Sequence, residues 1–159
     1  MRHERRSRAH HPTVRLLSIV GGVALLFAMA VDVVSVIGRH IKLPLLGSIE
    51  LVQAAVVVSA SAGMIVATIA RSHAVVHLVV DRLSPGAKGV VLRVAAALSA
   101  LFFLALAIGS GWVAADMMGG HEESELLHIP YAPLRFVLVA ATLTVAAIFA
   151  AQAIGRVRR

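Results

Sequence analysis

Four long apolar runs organise the chain: residues 16–38, 51–70, 94–115 and 136–155. Polar and charged residues collect between them and at the two ends. Each run has roughly the 20 residues that an α-helix needs to cross about 30 Å of hydrocarbon. A spanning segment must satisfy its own backbone groups, so runs of this length predict helices. The strict alternation of a membrane barrel is absent. The pattern predicts an all-α membrane protein with four transmembrane helices. Short interfacial helical segments are expected in the 38–47 and 72–84 connections. On this reading residues 1–13 are a basic tail, 14–155 a four-helix transmembrane domain, and 156–159 a second basic tail.

Composition agrees with a bilayer as solvent. Hydrophobic residues make up 59% of the chain and charged residues 14%, too few to solvate a soluble domain of 159 residues. The net charge of +7 is concentrated at the ends, in Arg2, Arg5, Arg6, Arg8 and Arg15 and in Arg156, Arg158 and Arg159. No aromatic residues interleave with these arginines and both groups flank membrane runs, so they read as topology charges, and no nucleic-acid partner is expected. The 71–88 connection is also basic, whereas 116–133 has no lysine or arginine. The positive-inside rule then places both termini in the cytoplasm. Arg39 and Lys42 fall on the outer side against that trend, which suggests a specific task for them. Ala28-Met29-Ala30 has the form of a signal cleavage site, but the apolar run continues past it and the segment is kept as a span.

Chemistry-bearing residues are few. Asp32 lies about 9 Å below the outer end of the first run. A carboxylate near mid-membrane costs roughly 2.5–3.5 kcal/mol on insertion scales, so it should face protein or water. It reads either as an anchor to a neighbouring helix or as an ion or proton site. Arg39 follows two turns later on a similar face. Pro44 and Gly47 break the outer turn, and Glu50 in the first turn of the second run suits the helix dipole. Ala55, Ser59, Gly63 and Ala67 form a stride-four ridge for close helix packing. His73, His77 and Asp81 share a stripe in the inner connection, which Ser84-Pro85-Gly86 is expected to terminate. The two histidines have metal-pair spacing, but Ala74 stands where a zincin glutamate would be and no third ligand is obvious, so no metal is expected. Glu122, Glu123 and Glu125 give the last loop an acidic, periplasmic character. No cysteine is present, which excludes disulfides and thiolate metal sites.

Read together, these residues make the chain resemble a known family, the small permease subunit (DctQ type) of tripartite ATP-independent periplasmic (TRAP) transporters. Arg39, Pro44, Gly47 and Glu50 look like its Arg–Pro–Gly–Glu turn. His77 to Asp81 looks like its His-x-x-x-Asp segment. Ser124 followed by Ile129-Pro130-Tyr131 looks like the approach to its last span. The family often has a further Pro-Gly in that span, where Val139-Ala140 or its neighbours stand here. The resemblance implies a non-catalytic subunit, without cofactor, that scaffolds a large permease. That permease would take up organic acids or similar solutes, driven by a sodium gradient and delivered by a periplasmic solute-binding protein. Asp32, Arg39, Lys42, Glu50, His77 and Asp81 would then contact the large subunit, membrane lipids or the rest of the bundle. The alternative is a self-sufficient, homo-oligomeric proton-coupled exporter using Asp32. A membrane enzyme or haem protein fits poorly, because none of the eight histidines lies in the core of a span.

Overall fold

The computed structural model describes residues 12–70, 84–118 and 123–155. It contains four helices, α1 (Pro12–His40), α2 (Ser48–Ile69), α3 (Pro85–Met117) and α4 (Tyr131–Ala153). All four are long and apolar enough to cross a membrane. The helices extend past the apolar runs because their first and last turns are polar or capped.

Local chemistry sets the ends. α1 stops in a Schellman motif: the Leu43 amide bonds to the Gly38 carbonyl at 2.8 Å and the Lys42 amide to the Arg39 carbonyl at 3.4 Å. Lys42 takes the left-handed position at φ 61°, and Pro44 prevents the helix from resuming. A Cβ at Gly38 would overlap the Leu43 carbonyl oxygen, so the turn closes over a residue without a side chain. The 38–47 connection is thus helical through His40 and a tight turn thereafter. Ser84-Pro85-Gly86 opens a helix: Ser84 Oγ accepts from the Ala87 amide at 3.4 Å, and Pro85 occupies the first turn of α3, where no backbone donor is needed. The 72–83 part of the inner connection lies outside the described residues. α4 runs unbroken through Val139 and Ala140.

The helices pack in the order α1–α2–α4–α3. Among the described residues α1 and α3 do not close on each other, so the arrangement is an open row rather than a four-sided bundle. α1 shows why. Its buried and half-buried positions are Val14, Leu17, Gly21, Ala24, Ala28, Val31, Ser35 and Gly38, a strict heptad seam one helix wide. That seam faces α2. Ser35 Oγ and Ser48 Oγ meet at 3.0 Å, and a Cβ on Gly21 would lie 3.2 Å from Ala62 Cβ. The two contacts are fourteen residues apart on both helices, which fixes one antiparallel register along the whole hairpin. Midway, that register sets Ala28 level with Ala55, both buried. Small residues at each crossing let the backbones approach, which is what association between lipid-immersed helices requires.

The second hairpin uses different means. Ala96, Ala107 and Ala114 of α3 are buried along the α4 side, and Phe103 stacks on Phe149 at 5.9 Å. In the middle of the row Thr142 is fully buried and donates back to the Leu138 carbonyl at 2.9 Å, while Thr68 donates to the Met64 carbonyl at 2.7 Å. Ser61 Oγ is buried with no hydrogen-bond partner among the described residues.

The Gly21 crossing yields a test. Gly21→Leu should destabilise the α1–α2 hairpin by about 1–3 kcal/mol, the usual cost of overpacking, whereas Gly109→Leu, with open space beside it, should be near neutral. Unfolding of the purified chain in mixed detergent micelles measures both.

Candidate interaction site

The densest polar chemistry lies where the α1–α2 turn meets the loop before α4. Glu50 is the third residue of α2, after Gly47 in the N-cap position at φ 76°. Gly47 offers no side-chain cap, so the first turn keeps free amides and a positive end that a carboxylate complements. The Glu50 carboxylate has further partners. It accepts the Leu126 amide at 2.9 Å and the Leu127 amide at 2.8 Å, one on each oxygen. The Ser124 hydroxyl also bonds to it. Three donors on one acceptor-only group form a clamp between segments 76 and 77 residues apart in sequence.

The clamped loop is itself closed. Ser124 is buried; its Oγ accepts the Ile129 amide at 2.9 Å, its amide donates to the Ile129 carbonyl at 3.0 Å, and its carbonyl accepts from the His128 amide at 3.2 Å. His128 takes a left-handed conformation at φ 52° to make the turn, and its Nδ1 stands 3.7 Å from a Glu123 carboxylate oxygen. Glu123 pairs with Pro130 in an isolated antiparallel bridge. Leu127 then lies against Gly47 so closely that a Cβ there would be 2.6 Å from Leu127 Cγ. Glycine at 47 therefore serves twice, for its backbone angle and for the leucine above it.

The other sequence-singled residues are dispersed. Arg39 is exposed at the end of α1 and its Nε reaches back to the Ser35 carbonyl at 3.5 Å, short of Asp32. His40 Nδ1 donates to the Val36 carbonyl at 2.8 Å. Lys42 is exposed in the turn, so three basic side chains ring the carbonyl end of α1. Around them Ile41, Leu43, Leu46 and Ile49 are exposed. Asp32 is exposed on α1 and has no hydrogen bond or ion pair with the described residues. Of the stride-four ridge, Ala55 is buried, Ser59 and Ala67 are half-buried, and Gly63 is exposed with open space beside it. Glu123 and Glu125 are exposed on the loop. His77, Asp81 and Glu122 lie outside the described residues. Sequence reasoning did not anticipate the Ser35–Ser48 bond, the Gly21 crossing or the Leu127–Gly47 contact. The heptad recurrence of Val14, Gly21, Ala28 and Ser35 carried the signal for the first two.

The clamp makes a direct prediction. Glu50→Gln leaves one acceptor oxygen for two amides, so hydrogen exchange at Leu126 and Leu127 should accelerate while the α1–α2 seam stays protected. Ser124→Ala strands the buried Ile129 amide and should cost about 1–3 kcal/mol. Exchange mass spectrometry of the chain in nanodiscs reads both effects.

Comparison with known proteins bears on what such a chain belongs to. No curated protein and no solved structure matches it. Residues 28–159 match the family model described as tripartite ATP-independent periplasmic transporters, DctQ component. The match takes in the α1–α2 turn, the Glu50 clamp and all of α2, α3 and α4. With most of the chain matched and four membrane-length helices in place, the protein belongs to the DctQ family of TRAP transporter components.

Proposed function

We propose that this chain is the small, non-catalytic membrane subunit that braces the large permease of a TRAP transporter. Uptake of organic acids or similar solutes, delivered by a periplasmic solute-binding protein, is driven by a sodium gradient through the large subunit. The chain sits in the bacterial inner membrane with both termini cytoplasmic, which puts the Glu50 clamp, Arg39 and Lys42 on the periplasmic side. Membrane lipids contact the remaining faces.

The observation that carries this reading is the open row of helices. A solute pathway needs polar groups converging on a space between spans. Among the described residues the helices pack in the order α1–α2–α4–α3 without α1 closing on α3, and no charged side chain is buried between them. Of the polar residues buried within the row, Thr142 and Thr68 bond back to their own helices, Ser35 bonds to Ser48 across the first hairpin, and Ser61 Oγ has no partner among the described residues. Such a row suits bracing. The clamp gives its periplasmic rim a defined shape, with Gly47 and Glu50 held against Leu126 and Leu127 of the loop.

The test is a mild-detergent purification of the tagged chain expressed from its native locus. A much larger, many-spanning membrane protein should come with it in about equal amount. Recovery alone or as a homo-oligomer would overturn the subunit reading and favour a proton-coupled exporter using Asp32. Within an intact complex, Glu50→Ala should reduce assembly more than it changes sodium affinity. A complex that stays whole while its sodium dependence shifts would contradict the bracing role.

A further inference from the structure

The exposed surface of α1 is not uniform. With the seam to α2 set aside, one face is wholly apolar and suited to lipid; Val23, Phe27 and Val34 lie on it, all exposed. The remaining face, beside the seam, also follows a three-four spacing: Leu25, Met29, Asp32, Val36 and Arg39. All five are exposed. Gly22 begins this stripe with no atom within 4 Å of where its Cβ would be. The stripe is a second helix-packing seam, with the same spacing as the occupied one and with α1's one acid inside it.

Asp32 decides what must cover the seam. It lies eight residues before His40, about 12 Å along the axis from the helix end. At that depth a carboxylate facing lipid is unfavourable, and its stable settings are a buried cation or strong donors. The described residues do not supply them. Among the described cations, Arg15 is at the far end of α1, and Lys88 and Arg93 are in the opening turns of α3. Arg135 is on α4, separated from α1 by α2. Lys42 is beyond the helix end, and Arg39 turns back to Ser35. A second copy fits poorly: a twofold pair of like-oriented chains through this seam would set Asp32 against Asp32.

We propose that this seam of α1 seats a transmembrane helix of the large permease that presents a lysine or arginine at the depth of Asp32. The inference rests on the subunit reading above and adds to it a face, a register and a charge. The occupied seam meets α2 through glycine and alanine. The second seam, with Gly22 at one end, admits a backbone at similarly close range and leaves the charge pair near the other end.

The test uses the intact complex in native membranes. A benzophenone amino acid placed at Met29 or Val36 should cross-link to the large permease. The same probe at Val23 or Val34, on the lipid face, should cross-link at least several-fold less. Asp32→Leu should lower the permease recovered per chain by about thirtyfold or more, as for a desolvated ion pair stripped of one member, and Asp32→Glu should restore much of it. Because Asp32 has no hydrogen bond or ion pair with the described residues of its own chain, unfolding of the isolated Asp32→Leu variant should match wild type, separating lost docking from lost folding. If the unmodified chain recovers no permease, the subunit reading itself fails. If permease is recovered but Met29 and Val36 cross-link to lipid or to a second copy, the docking proposal fails alone. Equal recovery with Asp32→Leu also overturns it.

Discussion

Everything at the loop end of this protein depends on where one carboxylate finds its hydrogen bonds. Glu50 stands at the start of α2 with two oxygens and no donors of its own, and the loop before α4 arrives with two consecutive amides and a serine hydroxyl. Close to a membrane surface, loop amides without partners are costly, and a carboxylate without donors is more so. The two needs cancel in a single contact. That contact shapes the 123–130 loop, places Leu127 over Gly47, and holds the first turn of α4 beside the first turn of α2.

Away from that end, size governs. α1 and α2 are joined by glycine, alanine and serine, and the hairpin gains its stability from backbones brought close rather than from large side chains. α3 and α4 rely on buried alanines and on the stacked Phe103–Phe149 pair. In water these surfaces would be too small to hold a hairpin. In lipid, where apolar side chains gain little by leaving solvent, close contact and internal hydrogen bonds decide association.

The four helices were legible because length and apolarity alone specify a span; only their ends needed structure. Ser84-Pro85 shows the limit. That the same residues open α3 rests on Ser84 Oγ accepting the Ala87 amide, which no pattern of apolar positions specifies; the segment they are expected to terminate lies outside the described residues. Glu50 was legible as a residue and as a helix-dipole partner, but not as a clamp, since its donors come from the other half of the chain. Ala55 lies in the register with α1, yet the residue under Gly21 is Ala62, and Gly63, one step round the helix, faces open space. A pattern of small residues names a helix able to pack; the partner's register picks the residues that touch. Asp32 was read as needing protein or water around it, and the structure sharpens that into an acid with no hydrogen-bond or ion-pair partner among the described residues.

The row of helices has a consequence for how the protein is made. Its contacts divide into two hairpins, each closed between neighbours in sequence, and one joint between them along α2 and α4. The first hairpin has all its parts once α2 is in the bilayer. The Glu50 clamp cannot close until Leu127 has been synthesised, some 77 residues after the carboxylate that receives it. During that interval the rim of α2 is unfinished while the seams of α1 are already formed or available. The order of synthesis therefore presents α1 to the membrane, and to whatever neighbours it there, before the periplasmic rim takes its final shape.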